Sequence, residues 1–167
     1  GAAETDRLGR LPDHSTLQLH VEGALNAVAD AGLSLRDIDG IATVSAPGPV
    51  QVAHALGITP RWIDGTGVGG TSFLLHVRHA AAAIRAGYAR TVLITHGESG
   101  RSRVGASRYR MEASSPAGQF EVPYGHTLIA KYAMAARRHM IEHGTTIEQL
   151  ASVAVQARAN AALNPEA

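Results

Sequence analysis

The chain has 167 residues, of which 45% are hydrophobic and 17% charged, and its formal net charge is +1. Such a composition belongs to a globular chain rather than a disordered one and argues against general nucleic-acid binding. The absence of cysteine excludes disulfides, thiolate metal sites and cysteine catalysis within these residues. The length fits one domain, or part of a larger protein, and can bury a sizeable core. Lys131 is the single lysine among 15 basic residues, so arginine carries nearly all positive charge. No apolar run reaches the roughly 18 residues of a membrane-spanning helix, and no basic segment precedes an apolar signal core. A cytoplasmic location is the resulting expectation. Gly1-Ala2-Ala3-Glu4-Thr5 reads as the loop after a strand and Asn164-Pro165-Glu166-Ala167 as an abrupt stop, so both ends look cut.

In chain order, Ser15-Thr16-Leu17-Gln18 has the pattern of a capping box and opens a helix. Leu17, Val21, Ala24, Leu25 and Val28 recur at helical spacing, and Gly32 supplies a stop. Residues 38–45 form a β-rich run that predicts a strand. Pro49 to Leu56 predicts a short helix closed by Gly57, and Arg61 to Asp64 a brief strand. A glycine-rich turn follows, Gly65-Thr66-Gly67-Val68-Gly69-Gly70. Thr71 or Ser72 then caps a helix carrying Leu74, Leu75, Val77, Ala81 and Ile84, with Gly87 as its stop. Because this helix is apolar on nearly all faces, it is expected in the core. Thr91 to Thr95 is a continuous apolar run, as in a strand covered on both faces. Residues 97–119, rich in Gly, Ser and Arg, show no period and read as a long excursion. A helix from about Leu128 to Glu142 stops at Gly144, and a capping box at Thr145-Thr146-Ile147-Glu148 opens a last helix along Leu150, Val153, Ala154, Ala157 and Ala161. Strands alternating with helices predict βαβ units and a mostly parallel sheet.

Several groupings suggest chemistry, each with a simpler alternative. Gly65 to Gly70 fits G-x-G-x-x-G between a strand and a helix, but no acidic residue stands at the spacing a dinucleotide site requires. Glycines there also let a turn pass close to its neighbours. His139 and His143 are spaced i, i+4, and His76 and His79 i, i+3, yet no third ligand converges on either pair. No metal site is expected. Gly97-Glu98-Ser99-Gly100 resembles a nucleophile elbow only superficially, since Arg101 stands at the second glycine and no helix follows at once. Arg101, Arg103, Arg108 and Arg110 cluster in the excursion, either as a phosphate site or as a solvated loop.

Four segments carry a family likeness: GAAETDRLGR, GGTSFLLHVRHAAAAIRAG with TVLITHGES, PYGHTLIAKYAMAARRHMIEHGTTIEQLA, and ARANAALNPEA. Together they resemble the N-terminal half of a thiolase-superfamily protein, in the branch of sterol carrier protein X and the bacterial lipid-transfer-protein retro-aldolases. The resemblance implies an α/β thiolase-like fold, an N-terminal βαβ half with a mixed, mostly parallel sheet and helices on both faces. It divides the chain into a core over 1–97, a loop excursion over the substrate site over 98–127, and a helical segment over 128–167. The family places its acyl-accepting cysteine where Gly70 stands here. A substrate contact set of Gly69, Gly70, Thr71, Ser72, Tyr124 and His126 follows by the same likeness. No catalytic residue is assigned, and His126, in a loop beside a predicted helix start, is the one candidate. Loss of the nucleophile matches relatives that cleave a β-hydroxyacyl-CoA by retro-aldol chemistry. The implied partners are an acyl-CoA substrate, a second copy in a homodimer and an OB-fold protein. Neither nucleic acid nor a membrane span is implied, and no cofactor beyond the CoA of the substrate. An acetyl-CoA acyltransferase with its nucleophile elsewhere, or a non-catalytic CoA-binding scaffold, are the competing readings.

Overall fold

The computed structural model describes residues 1–44, 46–105, 114–125 and 127–164. They divide into two compact units, Gly1–Ser107 and Arg108–Ala167.

The first unit is built on a parallel three-stranded sheet. Strands β1 (Gly40–Ala42), β2 (Trp62–Asp64) and β3 (Val92–Ile94) lie in the order β2-β1-β3. Gly40 is in register with Trp62 and Val92, and Ile41 with Ile63 and Leu93. The strands are shorter than the sequence pattern predicts, but the ladder outlasts them. Arg61 and Trp62 donate to Asp39 O, Asp39 and Gly40 to Thr91 O, Thr43 to Asp64 O, and Thr95 to Ala42 O. Gly40 must lack a side chain, because a Cβ there would stand 2.8 Å from Val92 Cγ2 and 3.3 Å from Trp62 Cε3.

Helix α1 (Thr16–Asp30) begins with the expected capping box. Ser15 Oγ accepts from the Gln18 amide, and Gln18 reaches back to the Ser15 amide. Helix α2 (Pro49–Leu56) starts on its proline and stops at Gly57, which is left-handed at φ 67°. Ala24 and Val28 of α1 and Val52, Ala53 and Leu56 of α2 pack on Ile41 and Leu93, forming the main core on that sheet face. The buried side of α1 differs from the apolar pattern: His20 is sealed within it, and Leu25 is exposed. The N-terminal segment straps along α1 through polar bonds. The Ala2 amide donates to Asp30, the Asp6 amide to Glu22, and Asn26 to Glu4 O.

Helix α3 (Ser72–Arg85) crosses the opposite face, between β2 and β3. Successive connections leaving β1 and β2 toward opposite faces open a crevice at the carboxyl ends of the strands. Within this unit α3 is buried along one face. Ser72, His76, Ala80 and Ala83 are buried, but Leu74 is 75% and Val77 56% exposed. The described residues cover one face only.

In the second unit α4 (Pro116–Glu121) is capped by Ser115 and runs into a 3-10 turn, Val122–Tyr124. Helix α5 (Leu128–His143) ends at left-handed Gly144, as predicted. Helix α6 (Ile147–Ala161) also has a capping box, one residue later than the sequence suggests: Thr146 Oγ1 accepts from the Gln149 amide and Gln149 returns to Thr146. Glutamine serves the reciprocal bond as well as glutamate, so the motif reads in either frame. No residue of α5 or α6 is buried. Among the described residues no helix is long and apolar enough to cross a membrane.

Candidate active site

The glycine turn between β2 and α3 is held by four side chains, Asp64, His79, His76 and Ser72. Asp64, at the carboxyl end of β2, accepts from the Thr66 amide at 2.8 Å and from Thr66 Oγ1 at 2.6 Å. His79, two turns into α3, donates from Nδ1 to the other Asp64 oxygen at 2.6 Å. Burial works against the charged form of Asp64, but the bonds from Thr66 and His79 outweigh it and hold the carboxyl below its usual range. His76, fully buried, donates from Nε2 to Thr66 O at 2.9 Å. Ser72 closes the turn: its hydroxyl accepts from the Val68 amide and donates to Gly69 O at 2.5 Å.

Above this framework lies open space. Gly69 is left-handed at φ 81°, and no atom lies within 4 Å of a Cβ built on Gly70. Thr71 occupies the N-cap position but makes no side-chain cap bond. The Ser72 amide donates to Gly69 O, which leaves the other first-turn amides of α3 for an anion or a developing oxyanion.

A second group of side chains meets at the end of β3. The ring of His96 lies 4.8 Å from that of Phe73, in the first turn of α3, and 6.3 Å from that of His20 on α1. His96 Nε2 is 3.4 Å from Glu98 Oε2. His20 Nδ1 is 2.8 Å from Thr95 Oγ1. Burial, with repulsion from His96 added, pulls the His20 imidazole down to about 4.

Of the sequence-predicted contact set, Gly69, Gly70, Thr71 and Ser72 come together at the turn, with Ser72 buried and its hydroxyl engaged. Tyr124 lies in the other unit. His126, Arg108 and Arg110 lie outside the described residues. His76 and His79 are committed to different partners, and His139 and His143 lie ring to ring at 4.6 Å. Among the described residues no group of three metal-ligating side chains occurs. Ser99 is buried and donates to Gly9 O, a structural role. The meeting of Phe73, His96 and His20 is the grouping the sequence reading missed. Its residues come from two helices and a loop, and no spacing rule joins them.

No protein-family model matches the chain. It is 37% identical over 163 residues to a steroid side-chain-cleaving aldolase of Thermomonospora curvata, covering 92% of this chain and 42% of that protein. It is 35% identical to a 17-hydroxy-3-oxo-4-pregnene-20-carboxyl-CoA lyase of Mycobacterium tuberculosis, with the same coverage. An acetyl-CoA acetyltransferase of Methanothermobacter thermautotrophicus is 32% identical, over all of this chain and 45% of its own. Among solved structures, an Ltp2-ChsH2(DUF35) aldolase superposes with a TM-score of 0.81 at 34% identity, over 99% of this chain and 45% of that one. The chain therefore spans less than half the length of the relatives it matches. The sheet order, the glycine turn at α3 and these likenesses define a thiolase-like protein. Within that class it is related to the lipid-transfer branch of steroid side-chain aldolases and lyases.

Proposed function

We propose that the protein is an acyl-CoA lyase that breaks a carbon–carbon bond of a β-hydroxyacyl-CoA by retro-aldol cleavage, with a steroid side-chain thioester as the substrate class. The observation that carries this reading is Gly70: the helix N-terminus stays open beside it, while the residue itself has no nucleophile. A retro-aldol reaction needs none. It needs a base for the β-hydroxyl and donors for the enolate oxygen as the bond breaks. The first-turn amides of α3 supply the second requirement. The named activities of the two aldolase and lyase relatives support the choice of reaction and substrate. The acetyltransferase at 32% identity supports acyl transfer as the second reading, with a nucleophile contributed from outside these residues.

The same proposal includes a cytoplasmic homodimer in which β2 pairs with its symmetry mate. β2 is an edge strand, paired only with β1 among the described residues, and Ile63 on it is exposed. An OB-fold protein is the proposed second partner, supported by the two-component name of the solved aldolase. Arg101 and Arg103 are proposed to meet the phosphates of CoA. No cofactor beyond CoA is needed. Incubating the full natural chain with a β-hydroxyacyl-CoA in the absence of free CoA tests the reading. A ketone and a shortened acyl-CoA are the expected products. An intact substrate, with the chain folded and its partners supplied, would overturn it.

A further inference from the structure

Four histidines stand at the carboxyl end of the sheet, and three of them are already committed. His76 is fully buried and bonded to Thr66 O. His79 gives its Nδ1 to Asp64. His20 is 2% exposed and bonded to Thr95. His79 and His96 each keep one ring nitrogen open on a side chain 39% and 49% exposed, and of the two only His96 is set against the first turn of α3, through Phe73. His96 Nε2 lies 3.4 Å from Glu98 Oε2, and a carboxylate there, which can only accept, favours the tautomer with the proton on Nε2. Nδ1, which has no hydrogen-bond partner among the described residues, then carries the free lone pair. The Phe73 ring, 4.8 Å away, ties this imidazole to the first turn of α3. Among the described residues the titratable groups against it are Glu98 from its own loop and His20 from α1. Helix α3 meets it with the uncharged ring of Phe73.

We propose that His96, backed by Glu98, is the group that exchanges a proton with the carbon next to the thioester carbonyl. The proposal rests on the lyase reading and deepens it. In the exchange direction Nδ1 takes the proton from that carbon. The C–H pair becomes the carbon–carbon double bond of an enolate, and the carbonyl pair moves to oxygen, at the amides of α3. Returning the proton from Nδ1 restores the thioester. In the cleavage direction the bond between the α- and β-carbons breaks instead, leaving the same enolate, which the imidazolium protonates. The ring is recharged by the proton that the β-hydroxyl gives up, so no net proton is consumed.

The test is deuterium exchange. The shortened product acyl-CoA is incubated with the full natural chain in heavy water, and label at the α-carbon is followed by mass spectrometry. His96→Gln is expected to slow exchange by about a hundredfold or more, the usual scale for loss of an acid–base group. Glu98→Gln is expected to slow it less, because a neutral amide replaces the carboxylate that faces Nε2 while the imidazole itself remains. Both residues are half exposed, so unfolding midpoints should stay at the wild-type value. Wild-type exchange by His96→Gln, in a preparation whose parent cleaves the β-hydroxyacyl-CoA, overturns the proposal and leaves the lyase reading standing. Failure of the parent to cleave that substrate overturns the lyase reading and this proposal with it.

Discussion

His20 and Gly97 show how one residue sets the end of the sheet. A Cβ on Gly97 would stand 2.6 Å from Thr16 O and 2.5 Å from His20 Cδ2, so the loop after β3 passes directly over α1. Gly97→Ala should destabilise the protein by about 1–3 kcal/mol, the usual cost of overpacking, and denaturant unfolding will check it. His20 makes stability depend on pH. Its imidazole titrates near 6.5 when exposed and at about 4 in the fold. Between those values the unfolded chain binds a proton that the native chain refuses, so stability is full above 6.5 and falls as pH drops toward 4. The depressed carboxylates Asp39 and Asp64 contribute in another window: their stabilisation persists above the ordinary carboxylate range and is lost below it. His20→Gln should therefore flatten the loss between about pH 6.5 and about pH 4, read from unfolding midpoints. An equal loss in wild type and variant would contradict this account. A buried histidine on an otherwise apolar stripe is invisible to hydrophobic periodicity, which predicted Leu25 inside and was silent on His20.

Helix ends were the most legible elements, because their signals are local. Ser15 with Gln18, Pro49 with Gly57, and Gly144 each act within one turn, and each stands where the sequence puts it. Strand lengths and helix environment were less legible, since both depend on distant chain. The turn into α3 was read correctly as a glycine-rich link, but the roles of its side chains were not. Thr71 makes no cap bond, and Ser72 is spent on the turn itself. The two central glycines should respond differently to alanine. Gly69→Ala forces a side chain into left-handed backbone at φ 81° and should cost roughly 1–2 kcal/mol. Gly70→Ala meets open space and should leave stability unchanged. Gly70→Cys should yield a thiol made more acidic by the helix N-terminus, measurable by alkylation rate against pH. It should not yield thiolysis, because a nucleophile without its acid and base contributes little.

At the scale of the molecule, the apolar stripe Leu74, Val77, Ile84 on α3 and the exposed edge of β2 are surfaces that the described residues leave uncovered. The proposed homodimer covers the β2 edge, and sedimentation of the full natural chain at micromolar concentration should give a dimer; a stable monomer would contradict it. The proposed lyase runs its reaction on a thiolase-like frame without a cysteine nucleophile. The dependence of cleavage on free CoA tests it most directly. The β-hydroxyacyl-CoA should break down at full rate with no free CoA present, and added CoA should not accelerate it. Cleavage that is absent without free CoA and rises with its concentration, passing the acyl group to the added thiol, would contradict it.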